Sequence, residues 1–70
     1  MRYAAVFEQT PTGWSAYVPD LPGCIGTGTT REEVEKNLRE AVAFHLAGMK
    51  EEGLSIPAPT TWTELVEGPV

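Results

Sequence analysis

The sequence predicts an α+β fold of order β-β-β-α-β, an antiparallel meander with one long helix packed on its sheet. Three observations carry that expectation. Residues 2–8 and 14–18 each alternate in side-chain type and are separated by the turn cluster Gln9-Thr10-Pro11-Thr12-Gly13, as a hairpin requires. Thr30-x-x-Glu33 forms a capping box ahead of a long apolar stripe with helical spacing, so a helix opens at Arg31. The closing run Thr60–Val66 is rich in residues that suit a pleated surface.

In chain order, Tyr3, Ala5 and Phe7 point one way and Ala4 and Val6 the other. The first strand, over 2–8, has no clean polar face, which predicts cover on both sides, as a central strand or at an oligomer contact. Trp14, Ala16 and Val18 alternate with Ser15 and Tyr17 in a half-buried second strand that Pro19 ends. Pro22-Gly23 suits the two central positions of a type II turn, proline presetting the first φ and glycine accepting the positive second one. A third strand follows over Cys24–Thr29, with Cys24, Gly26 and Gly28 on one side and Ile25, Thr27 and Thr29 on the other.

From Arg31 to about Glu52, Val34, Leu38, Ala41, Val42, His45 and Met49 share the stripe that should lie on the sheet. Phe44 and Leu46 sit on opposite flanks of it, where a single sheet does not cover both. Glu32/Lys36 and Glu35/Arg39 are i, i+4 pairs in the favourable orientation, and Gly53 supplies a left-handed stop with Leu54 behind it. Ile56-Pro57-Ala58-Pro59 is a stiff extended connector. Beyond it, Thr61-x-x-Glu64 also fits a capping box, but the composition of 61–66 favours a short fourth strand. The expected organisation is a single domain over 1–70, with a core at 1–56 and a proline-led tail at 57–70.

Size bounds what such a domain can do alone. At 70 residues, a chain buries only about 60% of its unfolded surface and is marginal by itself. The single cysteine, Cys24, forms no internal disulfide, and the single histidine, His45, offers no zinc cluster. Self-association is the remaining remedy, so a homo-oligomer is expected. No apolar run has the length of a signal peptide or a membrane span, which points to the cytoplasm and away from membrane partners. The net charge of −5 and pI of about 4.6 argue against direct nucleic-acid binding, which needs cations to displace counterions from phosphate. They suit a basic protein partner, although an acidic surface also simply keeps a small domain soluble.

Tests for chemistry fail in informative ways. Gly23 to Thr30 has P-loop-like glycine spacing, yet Thr29 stands where the phosphate-binding lysine belongs and no parallel α/β frame surrounds it. Close packing of a helix against glycine explains the spacing better. A Cys24/His45 nucleophile pair is outweighed by ordinary packing, because cysteine is among the most often buried residues and a lone histidine is not a constellation. Asp20, Glu33 and Glu40 make no recognisable metal cluster, and Asp20 is expected to accept turn hydrogen bonds. No catalytic residue, metal or cofactor is assigned.

Pro19-Asp20-Leu21-Pro22-Gly23-Cys24 followed by Gly28-x-Thr30-x-x-Glu33 resembles the signature of HicB-type antitoxins. The run Glu40-Ala41, His45-Leu46, Gly48-Met49, Gly53, Ile56-Pro57-x-Pro59 is similar as well, so that the resemblance covers about residues 2–60. Thr29 departs from it, since many members carry an acid there, as does Val34, where alanine is common. The resemblance implies a truncated ribonuclease-H-like fold without that fold's catalytic carboxylates. It further implies a role in binding and blocking a small basic HicA-type toxin, a ribonuclease that cleaves messenger RNA. Many members append a DNA-binding helix-turn-helix or ribbon-helix-helix domain; Val70 stands too early for one, so direct DNA binding is not expected.

Two functional readings follow. The first is a toxin-neutralising oligomer that performs no catalysis, with toxin contacts from the outer helix face (Glu32, Glu35, Glu40) or the tail acids (Glu64, Glu67). The second is a small anion-binding, ligand-binding or catalytic domain that uses residues 23–30 with His45.

Overall fold

The computed structural model describes residues 1–70. A hairpin of β1 (Val6–Thr10) and β2 (Gly13–Tyr17) continues into β3 (Ile25–Gly28), giving an antiparallel sheet of order β1-β2-β3. Helix α1 (Arg31–Glu51) closes the order of elements. The first four predicted elements are present, and the fourth strand is not: residues 54–70 pair with no strand. Strand-forming side chains make a strand only beside a free edge, and the tail reaches neither edge of its own sheet.

The first strand also differs from expectation. It starts at Val6 rather than residue 2, and it is an edge strand, not a central one. The expected five-residue loop tightens to Pro11-Thr12, because Thr10 pairs with Gly13. Proline at the second position and glycine at the last suit that turn. Any side chain at position 13 would collide with the Gly28 carbonyl on β3.

Helix packing explains the small residues of β3. Gly26 lies against Leu38, where an added Cβ would come within 3.0 Å of the Leu38 backbone nitrogen, and Gly28 lies against Glu33 and Val34. Trp14 is paired opposite Gly28, which leaves room for the indole. The core comprises Ala16, Val18, Leu21, Cys24, Val34 and Leu38, with Tyr3, Ala5, Phe7, Trp14, Ala41, Val42 and Leu46 packed around it. Leu46 thus joins the buried stripe, whereas Phe44 is 82% exposed. The helix overshoots its support: 21 residues span about 30 Å, roughly twice the length of these short strands.

Both helix ends are closed by local chemistry. Thr30 Oγ1 accepts from the Glu33 N–H at 3.1 Å, as the capping box requires. The return bond is shifted by one residue, since Glu33 Oε1 accepts from the Thr29 N–H at 2.8 Å instead of from Thr30. At the far end Gly53 has φ +74. Its N–H donates to the Lys50 carbonyl, and the Leu54 N–H donates to the Met49 carbonyl, which together make a Schellman motif. Of the two helical ion pairs, Glu35–Arg39 forms, at 3.2 Å.

The helix lies over β3 and β2, so the same face of β1 is only partly roofed. The result is an open groove of about 480 Å³ between β1 and α1, lined by Tyr3, Ala5, Phe7, Leu38 and Val42 and flanked by Arg2 and by the Glu35–Arg39 ion pair. The opposite face of the sheet has no cover. There Val6, Tyr17 and Ile25 are register partners and form one apolar row across all three strands.

Candidate interaction surface

The loop between β2 and β3 is built from two successive turns. Pro19 and Pro22 each set a φ, and Gly23, at φ +86, takes the left-handed position. The Leu21 N–H donates to the Val18 carbonyl and the Cys24 N–H to the Leu21 carbonyl, each at 3.0 Å. Leu21 and Cys24 point into the core, 1% and 3% exposed. With these two anchored, Asp20 is held on the outside.

Asp20 does not cap its own turn, contrary to expectation. Its Oδ2 accepts from the Thr60 and Thr61 N–H groups at 2.9 and 3.0 Å. Its Oδ1 accepts from the two threonine hydroxyls at 3.0 and 2.8 Å. One carboxylate therefore clasps a segment forty residues away in sequence. These bonds favour the charged form and lower the Asp20 pKa from 3.8 to about 2, the Thr61 N–H acting most strongly and the Thr60 N–H next. Close by, the Tyr3 hydroxyl donates to the Pro57 carbonyl; continuing the β1–β2 register places Tyr3 opposite Asp20. The tail thus crosses the end of the sheet and is fastened as it leaves.

Beyond the clasp the chain forms an arm. Trp62, Leu65 and Val66 are 79%, 101% and 84% exposed, with Glu64 and Glu67 among them. The long axis of the molecule reaches 48 Å, and its radius of gyration is 13.7 Å, against about 11 Å for a compact chain of this length.

The acidic residues singled out from the sequence fall in two places. Glu32, Glu35 and Glu40 lie on the helix, Glu35 engaged with Arg39, whereas Glu64 and Glu67 lie on the arm. Helix and β3 run in opposite directions, with Val34 on Gly28 and Leu38 on Gly26. Glu32 therefore sits at the far end of the sheet from the clasp, and Glu40, beyond Leu38, sits towards the clasp end. Of the signature residues, Leu21 and Cys24 build the core, Pro22 and Gly23 the turn, Thr30 and Glu33 the cap, and Gly28 the helix contact.

The alternative centred on residues 23–30 and His45 loses its footing. Gly26 and Gly28 are filled by helix packing, and Gly23 serves the turn. Burial pushes the Cys24 thiol pKa up, away from the reactive thiolate. His45 lies in a separate shallow depression with Phe44, Gly48, Met49, Glu52 and Leu54. Sequence reasoning missed the apolar row Val6–Tyr17–Ile25 and the partners of Asp20. The row follows from strand alternation once the register is known; the clasp has no local signal.

Comparison with known proteins agrees with this architecture. A family model described as "HicB_like antitoxin of bacterial toxin-antitoxin system" matches residues 3–70. An uncharacterised 14.9 kDa protein of Haemophilus phage HP1 is 33% identical over 69 residues, which is 99% of this chain and 52% of that protein. Antitoxin HicB 2 of Photorhabdus laumondii is 37% identical over 61 residues, 87% of this chain and 44% of that protein. The chain spans about half the length of these two relatives. A chain of the solved HicA3 and HicB3 toxin-antitoxin complex superposes with a TM-score of 0.72 at 34% identity, covering 87% of this chain and 71% of that one. With the signature loop, the glycine-packed helix and nearly the whole length matched, this chain belongs to the HicB-like antitoxin family.

Proposed function

We propose that this protein neutralises a small basic ribonuclease toxin of the HicA type by binding it, in the cytoplasm and without catalysis of its own. The observation that carries the reading is the family match over residues 3–70, reinforced by the likeness to a chain of a toxin-antitoxin complex. The chemistry of the chain supports binding over reaction. Its one thiol is buried, its glycine stretch is spent on packing, and no helix is long and apolar enough to cross a membrane.

The net charge of −5 steers a cationic toxin towards this surface, so the association rate falls as salt rises. Glu32, Glu35 and Glu40 on the helix, or Glu64 and Glu67 on the arm, make the charged contacts in this reading. The direct test is co-expression with a small basic HicA-type toxin from the same host, scoring growth and mRNA cleavage, followed by binding kinetics at two salt concentrations. Rescue of growth with a salt-sensitive association rate is the expected result. A toxic partner that is neither rescued nor bound by this chain overturns the proposal. Charge reversal of Glu32 with Glu40, compared with reversal of Glu64 with Glu67, tells which acidic set faces the toxin.

A further inference from the structure

The uncovered face of the sheet has no role in the fold. Val6, Tyr17 and Ile25 are register partners across all three strands, and Tyr17 and Ile25 remain 41% and 63% exposed. The next row on the same face is Glu8, Ser15 and Thr27, which is polar and carries one acid. A contiguous apolar row with a polar rim marks a place where another molecule sits.

The charges around this row say what kind of molecule fits. No lysine or arginine occurs between residues 3 and 30, a stretch that holds all three strands together with Glu8 and Asp20. All five cations of the chain belong to the helix side. Arg31 lies over the Phe7 ring at 5.2 Å, Arg2 and Arg39 border the groove under α1, and Lys36 and Lys50 stand on α1 itself. The helix therefore mixes acids with cations, as in the Glu35–Arg39 pair. Glu8 has no cation on its own face.

We propose that the open sheet face is the docking surface for the cationic toxin, with Val6, Tyr17 and Ile25 as its apolar centre and Glu8 at its rim. The inference rests on the toxin-binding reading and adds the face that does the binding. Helix α1, with Glu32, Glu35 and Glu40, covers the other face of the sheet. A second copy of this chain is a poorer occupant, because it would set Glu8 against an equally cation-free surface. Single-stranded RNA would find Tyr17 to stack on but no cation for its phosphates. The strands present a face of about 17 by 14 Å, short of the roughly 800 Å² per partner of a standard interface. The row is thus the centre of a contact that continues past the sheet's rim.

The test compares full-length variants for binding to a purified small basic HicA-type toxin from the same host. Ile25→Lys alters an exposed side chain on an edge strand, and is expected to keep the far-UV spectrum while raising the Kd about tenfold or more. Glu8→Lys is expected to slow association and flatten its salt dependence. The second measurement leaves the sequence intact: 3-fluorotyrosine is incorporated, and Tyr17→Phe assigns the two fluorine resonances. Toxin is expected to shift Tyr17 and to leave Tyr3, which lies on the helix side, nearly still. Wild type that does not bind the toxin overturns the functional reading and this inference with it. Binding that neither Ile25→Lys nor Glu8→Lys weakens, or that shifts Tyr3 and not Tyr17, overturns the inference alone. So does a Tyr17 resonance that moves with protein concentration, or with a single-stranded RNA, and is unmoved by toxin.

Discussion

Leu21 and Leu65 are the same residue under opposite conditions. Leu21 sits in a seven-residue loop with two prolines and a glycine and is 1% exposed; Leu65 sits in a run of strand formers and is 101% exposed. The core residues of the body are buried because each has a partner supplied by short-range pairing: hairpin, turn, cap and helix stripe. The arm has the composition and lacks the partner. Burial is a property of the pair of surfaces, so apolar content alone does not say where a residue ends up.

The sharpest way to widen that contrast is to truncate both leucines. Leu21→Ala is expected to cost about 2–5 kcal/mol, enough to unfold most of so small a domain, as read by urea denaturation. Leu65→Ala, at dilution where chains stand alone, should change the same midpoint by less than about 0.5 kcal/mol. If the two costs were alike, the arm would be packed on its own body and the comparison would collapse. Gly26→Ala comes next, at about 1–3 kcal/mol, because the new methyl meets Leu38 backbone rather than a side chain that can turn away. Thr30→Ala should cost about 1 kcal/mol through the lost cap, seen as early fraying of α1 in amide exchange.

Asp20→Asn separates the regions without harming either. The amide group brings donors where the threonines need an acceptor, so amide protection at Thr60 and Thr61 is expected to vanish while the core amides stay protected. Acid does the same reversibly. Since the folded pKa of about 2 lies below the ordinary 3.8, the clasp holds fully above about pH 4 and is lost as pH falls towards 2. Smallest is Glu35→Gln, which removes an exposed helical ion pair worth about 0.3–0.5 kcal/mol, and less at high salt.

What could be read from the sequence follows the same division. The Thr30 cap, the Gly23 turn, the Gly53 stop and the Val34–Val42 part of the stripe are written in residues within a few positions of one another, and all four are found; His45 and Met49, assigned to the same stripe, lie beyond the core. The misses are relations between distant segments. The edge position of β1 depends on where the tail does not go. The partners of Asp20 lie forty residues on. The fourth strand needs an edge that its own composition cannot name. The signature Pro19–Cys24 pointed to the family and to the loop that bears the clasp. Which acids meet a partner is not encoded in local pattern, because Glu32, Glu35, Glu40, Glu64 and Glu67 all look alike to their neighbours.

The span of the clasp also sets an order of events. Hairpin, turns and helix docking close through short loops, whereas joining Asp20 to Thr60 closes one of forty residues, and such closure comes late. On a ribosome the order is stricter still, since Asp20 is made and its loop can fold before Thr60 exists. Fastening the arm is then an event that a finished body undergoes. Its strength governs how fast the arm lets go, and leaves the rate at which the body folds untouched.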